Sequence, residues 1–227
     1  MALYDFVTGP LLWIAVVVFV VGIVVRAVLY IRGLDWQLDR VTYRVNVKYG
    51  IKGALRSIFY FLVPFGTHSW RAKPGFTIVF FVFHLGLLVT PVFLLGHNIL
   101  LKQAWGFMLP TLPACVADTL TIAVMICAVA IILRRMALPE VRIITTWSDI
   151  LILAIAVAPF VTGYVASRGA EPNQAWLIAH VLSGELWLVA IPFTKLSHFV
   201  LFFLSRAQLG MDFGIKRGGM KSKGMAW

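Results

Sequence analysis

The chain has 227 residues, of which 61% are hydrophobic and only 13% are charged, and its mean hydropathy is +0.92. This composition excludes a soluble domain and predicts a polytopic membrane protein. The net charge of +11 is not carried by a soluble basic domain. We therefore attribute it to membrane topology and to attraction for anionic lipid or an acidic partner, and nucleic-acid binding is not expected.

Five apolar runs are long enough to cross about 30 Å of hydrocarbon. The first run follows Met-Ala-Leu-Tyr-Asp, without the basic region and cleavage site of a signal peptide, so we expect it to remain as a span that starts near Pro10. The fold expected is all-α, a five-helix bundle, because backbone polar groups in lipid must be satisfied within each segment. The spans are placed at 9–31, 76–100, 115–134, 147–167 and 175–204.

The distribution of Lys and Arg predicts the orientation of the spans. All but three of these 20 residues, Lys102, Arg168 and Lys195, lie in or beside the connection 33–73, the third connection and the tail 205–227. Positive charge stays in the cytoplasm, so the N-terminus is expected outside and the C-terminus inside. Residues 50–63 are typical of an amphipathic interfacial segment that directs Lys52 and Arg56 to lipid headgroups or to a partner.

Four histidines are expected at membrane depth, where an ionisable side chain without a partner costs several kcal/mol. His84 and His97 lie on the second predicted span, and His180 and His198 lie on the fifth. Because these two spans run in opposite directions, His84 should be near His198 at the cytoplasmic face, and His97 near His180 at the outer face. At about 1.5 Å per residue, the two histidines of the second span are roughly 20 Å apart, and the two histidines of the fifth span are roughly 27 Å apart.

The helical phase places the two histidines of the fifth span on one face, but it does not do so for the second span. His180 and His198 are about five whole turns apart and would share one face, whereas His84 and His97 would lie on nearly opposite faces of a straight helix. We therefore expect a kink or wide turn between Leu87 and Pro91. Glycines near these histidines would give a flat macrocycle room against the backbone, namely Gly86, Gly96 and Gly184.

The remaining residue types favour haem as the metal cofactor. Cys115 and Cys127 are twelve residues apart and the chain has no CxxC motif, so iron–sulfur clusters, Cys-rich zinc sites and covalent haem attachment are not expected. Imidazoles on both sides of a porphyrin remain as the expected ligands. Iron with two axial histidines has no vacant position, which favours electron transfer over oxygen chemistry.

A different class of function stays open. A non-redox membrane anchor or transporter would use the same histidines to pass protons or bind a metal ion. His68 is interpreted as an interfacial surface histidine and is left out of the ligand set. Lys195 is expected to pair with a haem propionate or to extend to headgroups. Glu185 is expected to hydrogen-bond a neighbouring helix or to take up a proton during quinone chemistry.

The chain resembles the dihaem cytochrome b subunits related to the gamma subunit of respiratory nitrate reductase. The resemblance is carried by the five spans, the outside N-terminus, the histidine pair on the second span, and the eighteen-residue spacing of His180 and His198. The wider histidine separation on the second span and the long basic connection 33–73 are more similar to a branch found in transmembrane redox complexes of sulfate-reducing bacteria, such as the cytochrome b subunits of high-molecular-weight cytochrome c (Hmc) complexes.

This resemblance implies two haem b groups, one on the cytoplasmic side bound by His84 and His198 and one on the outer side bound by His97 and His180. It implies a heterodisulfide-reductase-like iron–sulfur subunit in the cytoplasm, a periplasmic multihaem cytochrome c, sister membrane subunits, and a place in a bacterial inner membrane. Menaquinone is a further candidate ligand. The soluble segments are too short for a redox domain, so an electron-transfer subunit is expected rather than a stand-alone enzyme.

Overall fold

The computed structural model describes residues 2–34, 47–168 and 173–216. All regular structure in this part of the chain is helical, which confirms the all-α prediction. Five helical segments are long and apolar enough to cross a membrane, so the chain is a polytopic helical membrane protein. They are Leu3–Arg32, Pro74–Phe93, Ala114–Ala137, Trp147–Arg168 and Gln174–Phe193.

The first span begins earlier than predicted. Helix α1 (Ala2–Phe6) passes through one π-helical turn (Val7–Leu11) into α2 (Leu12–Arg32). Pro10 therefore lies inside the span and does not start it. Proline lacks an N–H and its ring collides with the carbonyl four residues back, and the wider π turn relieves that clash. Much of the predicted connection 33–73 and of the tail 205–227 falls at 35–46 and 217–227, outside the described residues.

The predicted span 76–100 is wrong as a single helix. Helix α3 (Val47–Leu62) and the short α4 (His68–Ala72) precede α5 (Pro74–Phe93). Leu94 then takes an extended conformation, with φ −69° and ψ 133°, and α6 (Leu95–Trp105) follows. Leu94 thus ends one helix and precedes the next.

The predicted span 175–204 is also interrupted. The chain continues through α7 (Ala114–Ala137), α8 (Pro139–Arg142) and α9 (Trp147–Arg168) to α10 (Gln174–Phe193). Thr194 is extended, with φ −122° and ψ −175°. A 3₁₀ turn (Lys195–Ser197) and a separate helix α11 (His198–Lys216) come after it. The fifth span therefore ends at Phe193.

The chain divides into two compact units, which are described separately. The first comprises Met1–Val16 and Ile78–Leu188, and the second comprises Val17–Thr77 and Val189–Trp227. In the first unit, apolar side chains of α5, α7 and α9 form the core, and an ion pair joins Arg168 to Asp118 at 2.6 Å. The buried members of this core are Phe83, Val124, Cys127, Ala128 and Phe160.

In the second unit, α3 and α11 meet backbone to backbone. A Cβ atom on Gly53 would collide with the backbone of Gly210, so only glycine permits this approach. Beside the contact, Arg206 donates to the buried Ser57 hydroxyl from Nε at 3.1 Å and from Nη2 at 2.7 Å, and its guanidinium lies 3.8 Å from the centre of the Phe61 ring. Burial lowers the pKa of the Arg206 guanidinium from its usual value.

Candidate functional site

The four histidines of the predicted ligand set share one feature, a backbone carbonyl at Nδ1. Because a carbonyl oxygen only accepts, the hydrogen lies on Nδ1 and the lone pair of the neutral ring lies on Nε2. Metal-ligating histidines are typically anchored in this way, because the second bond fixes the tautomer and the ring orientation. The Nδ1 donors and carbonyl acceptors are His84 and Phe80 (2.8 Å), His97 and Pro91 (2.8 Å), His180 and Pro159 (2.9 Å), and His198 and Lys195 (2.9 Å).

His97 and His180 lie together in the first unit. Their ring centroids are 5.8 Å apart and their planes differ by 9°. His97 is the third residue of α6, and His180 lies in the first half of α10. Both side chains are half-buried. The structure therefore brings together two nearly parallel imidazoles from different helices, each with its Nδ1 already engaged.

The break at Leu94 supplies the acceptor for His97. An extended residue leaves the last carbonyls of α5 without their usual helical donors. The Pro91 carbonyl accepts from His97 Nδ1, and the Phe93 carbonyl accepts from the Leu112 N–H at 2.9 Å. The expected irregularity lies at Leu94, beyond the predicted stretch from Leu87 to Pro91, because α5 continues past its proline to Phe93.

The Asn98 side chain hydrogen-bonds backbone groups around the break at Leu94. This residue was not predicted from the sequence. Its side chain is only 1% exposed. Nδ2 donates to the Val92 carbonyl at 2.8 Å and to the Leu94 carbonyl at 3.1 Å, and Oδ1 accepts from the Leu109 N–H at 3.0 Å. Asn98 is therefore a positioning residue for its neighbour His97. The available signal was a lone carboxamide beside a histidine in an otherwise apolar run.

Gly163 makes room for His180. A Cβ atom built on Gly163 would lie 2.8 Å from both Cε1 and Nδ1 of the His180 ring. With hydrogen at this position, the ring can lie against α9 and reach the Pro159 carbonyl on the same helix. This glycine was also missed, because it is distant in sequence from every predicted ligand.

The three glycines expected beside a macrocycle have different surroundings. A Cβ on Gly86 would lie 2.5 Å from a Val124 side-chain carbon, so Gly86 serves contact between α5 and α7 and leaves no open space. This corrects the expectation for Gly86. Gly96 and Gly184 have no atom within 4 Å of an added Cβ. Open space therefore adjoins the backbone next to His97 and four residues beyond His180.

His84 and His198 belong to different compact units, so their predicted pairing stays a prediction. His84 lies in α5 with the Phe80 ring centroid 4.1 Å from its own. His198 is exposed and is the first residue of α11, after the break at Thr194. His180 and His198 therefore do not lie on one continuous helix, contrary to the prediction, because two helices separated by a 3₁₀ turn carry them.

A short sequence similarity accompanies the two helix breaks. Residues 91–97 and 192–198 both fit the pattern Pro-x-x-x-Leu, then Gly or Ser, then His. In each copy, the backbone becomes extended two or three residues after the proline, at Leu94 or Thr194, and a histidine follows the break. Both histidines were predicted as ligands from the sequence, but the shared pattern was not.

Arg26 forms a polar contact beside His198 that the sequence analysis did not anticipate. Its Nη2 donates to the Ser197 hydroxyl at 3.4 Å, within the second unit. A largely apolar cavity of about 570 Å³ includes Arg26 in its lining. Aliphatic side chains of α2 and the aromatic ring at the end of α10 form most of the rest, including Val17, Val21, Val25, Leu29 and Phe193.

Glu185 is the most unusual titratable residue of the first unit. It is 5% exposed, and neither carboxyl oxygen has a hydrogen-bond partner among the residues that the structure describes. The expected hydrogen bond to a neighbouring helix is thus not found there. His68 begins α4 and is exposed. Lys195 is exposed and offers its carbonyl to His198, and its pairing with a propionate stays a prediction.

Other kinds of metal site are not apparent within residues 2–34, 47–168 and 173–216. No group of three or more His, Cys, Asp and Glu side chains is arranged there to hold a metal ion. Cys115 is exposed, Cys127 is buried, and both are free thiols.

Fold and site together define a polytopic helical membrane protein whose candidate ligands are carbonyl-anchored histidines. The chain is similar to a protein of Nitratidesulfovibrio vulgaris (strain Hildenborough) that is named only "Protein". The two are 55% identical over 217 residues, which cover 96% of each chain. The chain belongs to the same family as that protein. No family model and no solved structure matches it.

Proposed function

We propose that the chain is a membrane cytochrome b subunit that carries electrons across the bilayer of a bacterial inner membrane. The observation that carries this proposal is the pair His97 and His180, with parallel rings 5.8 Å apart and both Nδ1 atoms bonded to carbonyls. Two imidazoles on different helices, each held by a backbone carbonyl at Nδ1, would present their Nε2 lone pairs as the ligands of a metal group.

Two glycines beside this pair are compatible with a flat macrocycle. Gly96, next to His97, and Gly184, four residues beyond His180, have no atom within 4 Å of an added Cβ. The carbonyls of Pro91 and Pro159 hold both imidazoles by Nδ1, so the Nε2 lone pairs would be the atoms that bind a metal. When bound, haem would supply a one-electron iron couple. His84 and His198, anchored in the same way, are the proposed ligands of the second haem on the cytoplasmic side.

The proposed partners follow from the resemblance and from the small soluble segments of the chain. Electrons would pass between a periplasmic multihaem cytochrome c, the quinone pool, or both, and a cytoplasmic heterodisulfide-reductase-like iron–sulfur subunit. For menaquinone, the apolar cavity containing Arg26 offers aliphatic walls and one guanidinium as a hydrogen-bond donor. Sister membrane subunits would complete the assembly.

Absorption spectroscopy of the purified chain tests the haem proposal. Dithionite-reduced samples should give b-type bands, and a pyridine haemochrome assay should give about two haems per chain. A His180→Ala variant should lose about half of that haem. A colourless preparation, obtained from cells that load a known cytochrome b in parallel, would overturn the proposal.

Replacing His198 tests the assignment of ligands to the two sites. We expect His198→Ala to remove the cytoplasmic-side haem and to retain the outer one, so one of two low-spin signals should disappear from the electron paramagnetic resonance spectrum. His68→Ala is the matched control, because His68 is also exposed and lies outside the ligand set. Loss of the signal that depends on His97 and His180 would contradict the pairing.

One observation favours a second candidate function. A buried carboxyl group without a hydrogen-bond partner, as at Glu185, is typical of proton-handling sites in membrane proteins. In a proton or metal-ion transporter, or in an anchor subunit without haem, the histidines would pass protons or bind a metal ion. Proton flux into reconstituted vesicles loaded with a pH-sensitive dye distinguishes a transporter from a cytochrome. Proton flux that is lost in Glu185→Gln, in a haem-free chain, would favour the transporter.

A further inference from the structure

Helix α3 (Val47–Leu62) has an inner face made of small residues. Gly50, Gly53, Ala54 and Ser57 are buried. Gly53 and Ala54 lie against Gly210 of α11, and Arg206 of α11 bonds to Ser57. Within residues 2–34, 47–168 and 173–216, α11 occupies this side of α3, and the opposite side is exposed.

The opposite side of α3 carries a continuous apolar stripe. Ile51, Leu55, Phe59 and Leu62 are between 50% and 65% exposed. At about 3.6 residues per turn, their spacing of four, four and three places them on one face, roughly opposite Gly53 and Ser57. So many large apolar side chains in one exposed stripe indicate an interaction surface.

Lys52 and Arg56 border this stripe, and Lys48 lies at its N-terminal end. Lys48, Lys52 and Arg56 follow one another at intervals of four residues, and all three are exposed. The Arg56 guanidinium lies 5.2 Å from the centre of the Tyr60 ring. The helix Val47–Leu62 contains no acidic residue. The surface that complements it therefore has an apolar layer beside a negatively charged layer.

We propose that α3 is a lipid-binding helix that lies in the headgroup region of the membrane and binds anionic phospholipid. The apolar stripe of Ile51, Leu55, Phe59 and Leu62 rests on the acyl chains, and Lys48, Lys52 and Arg56 bind the phosphate groups. A bilayer with anionic lipid supplies both layers next to each other, because its headgroups directly border the hydrocarbon. The close packing on α11 fixes the rotation of α3, so that the stripe faces lipid.

Depth-dependent fluorescence quenching tests this proposal on the full chain in nanodiscs. The starting variant carries Cys115→Ser and Cys127→Ala, and an environment-sensitive probe is attached at Leu55→Cys. The matched control is Tyr49→Cys, which is on α3, exposed and outside the apolar stripe. With phosphatidylcholine and phosphatidylglycerol at three to one, we expect blue-shifted emission at position 55 and at least twofold stronger quenching by spin-labelled acyl chains than at position 49.

The charge requirement is tested by a second variant and a second lipid. Replacing Lys48, Lys52 and Arg56 by Gln should reduce quenching at position 55 in anionic nanodiscs to the level found in pure phosphatidylcholine. These side chains are exposed, so unchanged circular dichroism is expected to show that the helices remain folded. If the probe at position 55 is quenched equally in both lipids in the chain that retains Lys48, Lys52 and Arg56, anionic lipid has no role.

Two outcomes would overturn membrane binding by the stripe. One is a probe at position 55 that is as water-exposed as the probe at position 49 in every nanodisc. The other is a probe that is water-exposed in nanodiscs but protected in the assembly isolated from native membranes, which would assign the stripe to a protein partner. Neither readout depends on haem, so the result is independent of the proposed electron-transfer function.

Discussion

Each of the four imidazoles is oriented by a backbone carbonyl, and for three of them the carbonyl lies within six residues of the histidine. The exception is His180, which reaches across from α10 to Pro159 of α9. Bonds of this kind commonly change metal affinity by about 10–100-fold when they are lost. The residues that permit them, Asn98 and Gly163, are therefore expected to matter nearly as much as the ligands.

Replacing Asn98 by Ala should loosen the break that positions His97. The variant removes three side-chain hydrogen bonds; the Leu94 carbonyl keeps the Asn98 N–H, but the bonds to the Val92 carbonyl and the Leu109 N–H are lost, at about 0.5–1.5 kcal/mol each. We expect a lower unfolding temperature and partial loss of the haem assigned to His97 and His180. The measurement is haem per chain together with thermal unfolding in detergent.

Thr119→Ala is a suitable control for this prediction, because Thr119 is exposed and its hydroxyl only bonds to the Cys115 carbonyl one turn back in α7. It should change neither quantity. Asn98→Ala with unaltered stability and unaltered haem content would show that the amide does not position His97.

Replacing Gly163 by Ala should displace the His180 ring. The added methyl group would lie 2.8 Å from the imidazole, closer than real side-chain carbons approach. Relief of the overlap must move the ring or α9, so we expect loss or altered g-values of one low-spin haem signal while the other is unchanged. Gly75→Ala is the control, since an added Cβ there has no atom within 4 Å. Identical spectra for both variants would contradict this role.

At the scale of elements, two of the histidines, His97 and His198, each follow a break in an apolar helix. In 91–97 and in 192–198, a proline near the end of an apolar helix precedes an extended residue and then a new helix or turn that carries the histidine. Proline withholds one N–H, and the extended residue frees carbonyls, which side chains then occupy. The change of direction allows His97 to depart from the phase of α5. It also makes His198 independent of the helical phase of His180.

The α3 and α11 pair provides the prediction at this scale. Gly53→Ala would drive a methyl group into the Gly210 backbone, which cannot move aside as a flexible side chain can. Overpacking of this type costs about 1–3 kcal/mol or more. We expect faster hydrogen exchange and faster proteolysis over 47–62 and 198–216, with Gly75→Ala as the unchanged control. Protection equal to that of the unsubstituted chain would contradict backbone contact between the two helices.

At the scale of the whole molecule, five apolar helices and an uneven charge distribution define the chain as a membrane protein with one expected orientation. The Lys- and Arg-rich connections should remain in the cytoplasm because their transfer across the bilayer is unfavourable. The two proposed haem sites would then lie at different depths, and electrons could cross the hydrocarbon between them.

Reporter fusions test the orientation. Green fluorescent protein joined to the C-terminus should fluoresce, since it folds in the cytoplasm, and alkaline phosphatase joined after Gly106 should be active, since that connection is expected outside. The reverse fusions at the same two positions serve as controls. Active phosphatase at the C-terminus would overturn the orientation and exchange the sides assigned to the two haems.

The sequence determined the fold class, the approximate position of the five spans and the four histidines, because hydropathy, charge and residue chemistry are local properties of the chain. It did not locate the ends of the second and fifth spans. Pro91 predicts an irregular helix without specifying which later residue becomes extended, and the fifth span was expected to continue past Pro192. Only the tertiary structure decided that Leu94 and Thr194 do so, that Asn98 satisfies the freed carbonyls, and that Gly163 admits His180. Those facts depend on which backbone groups meet in space, and residues distant in sequence determine that.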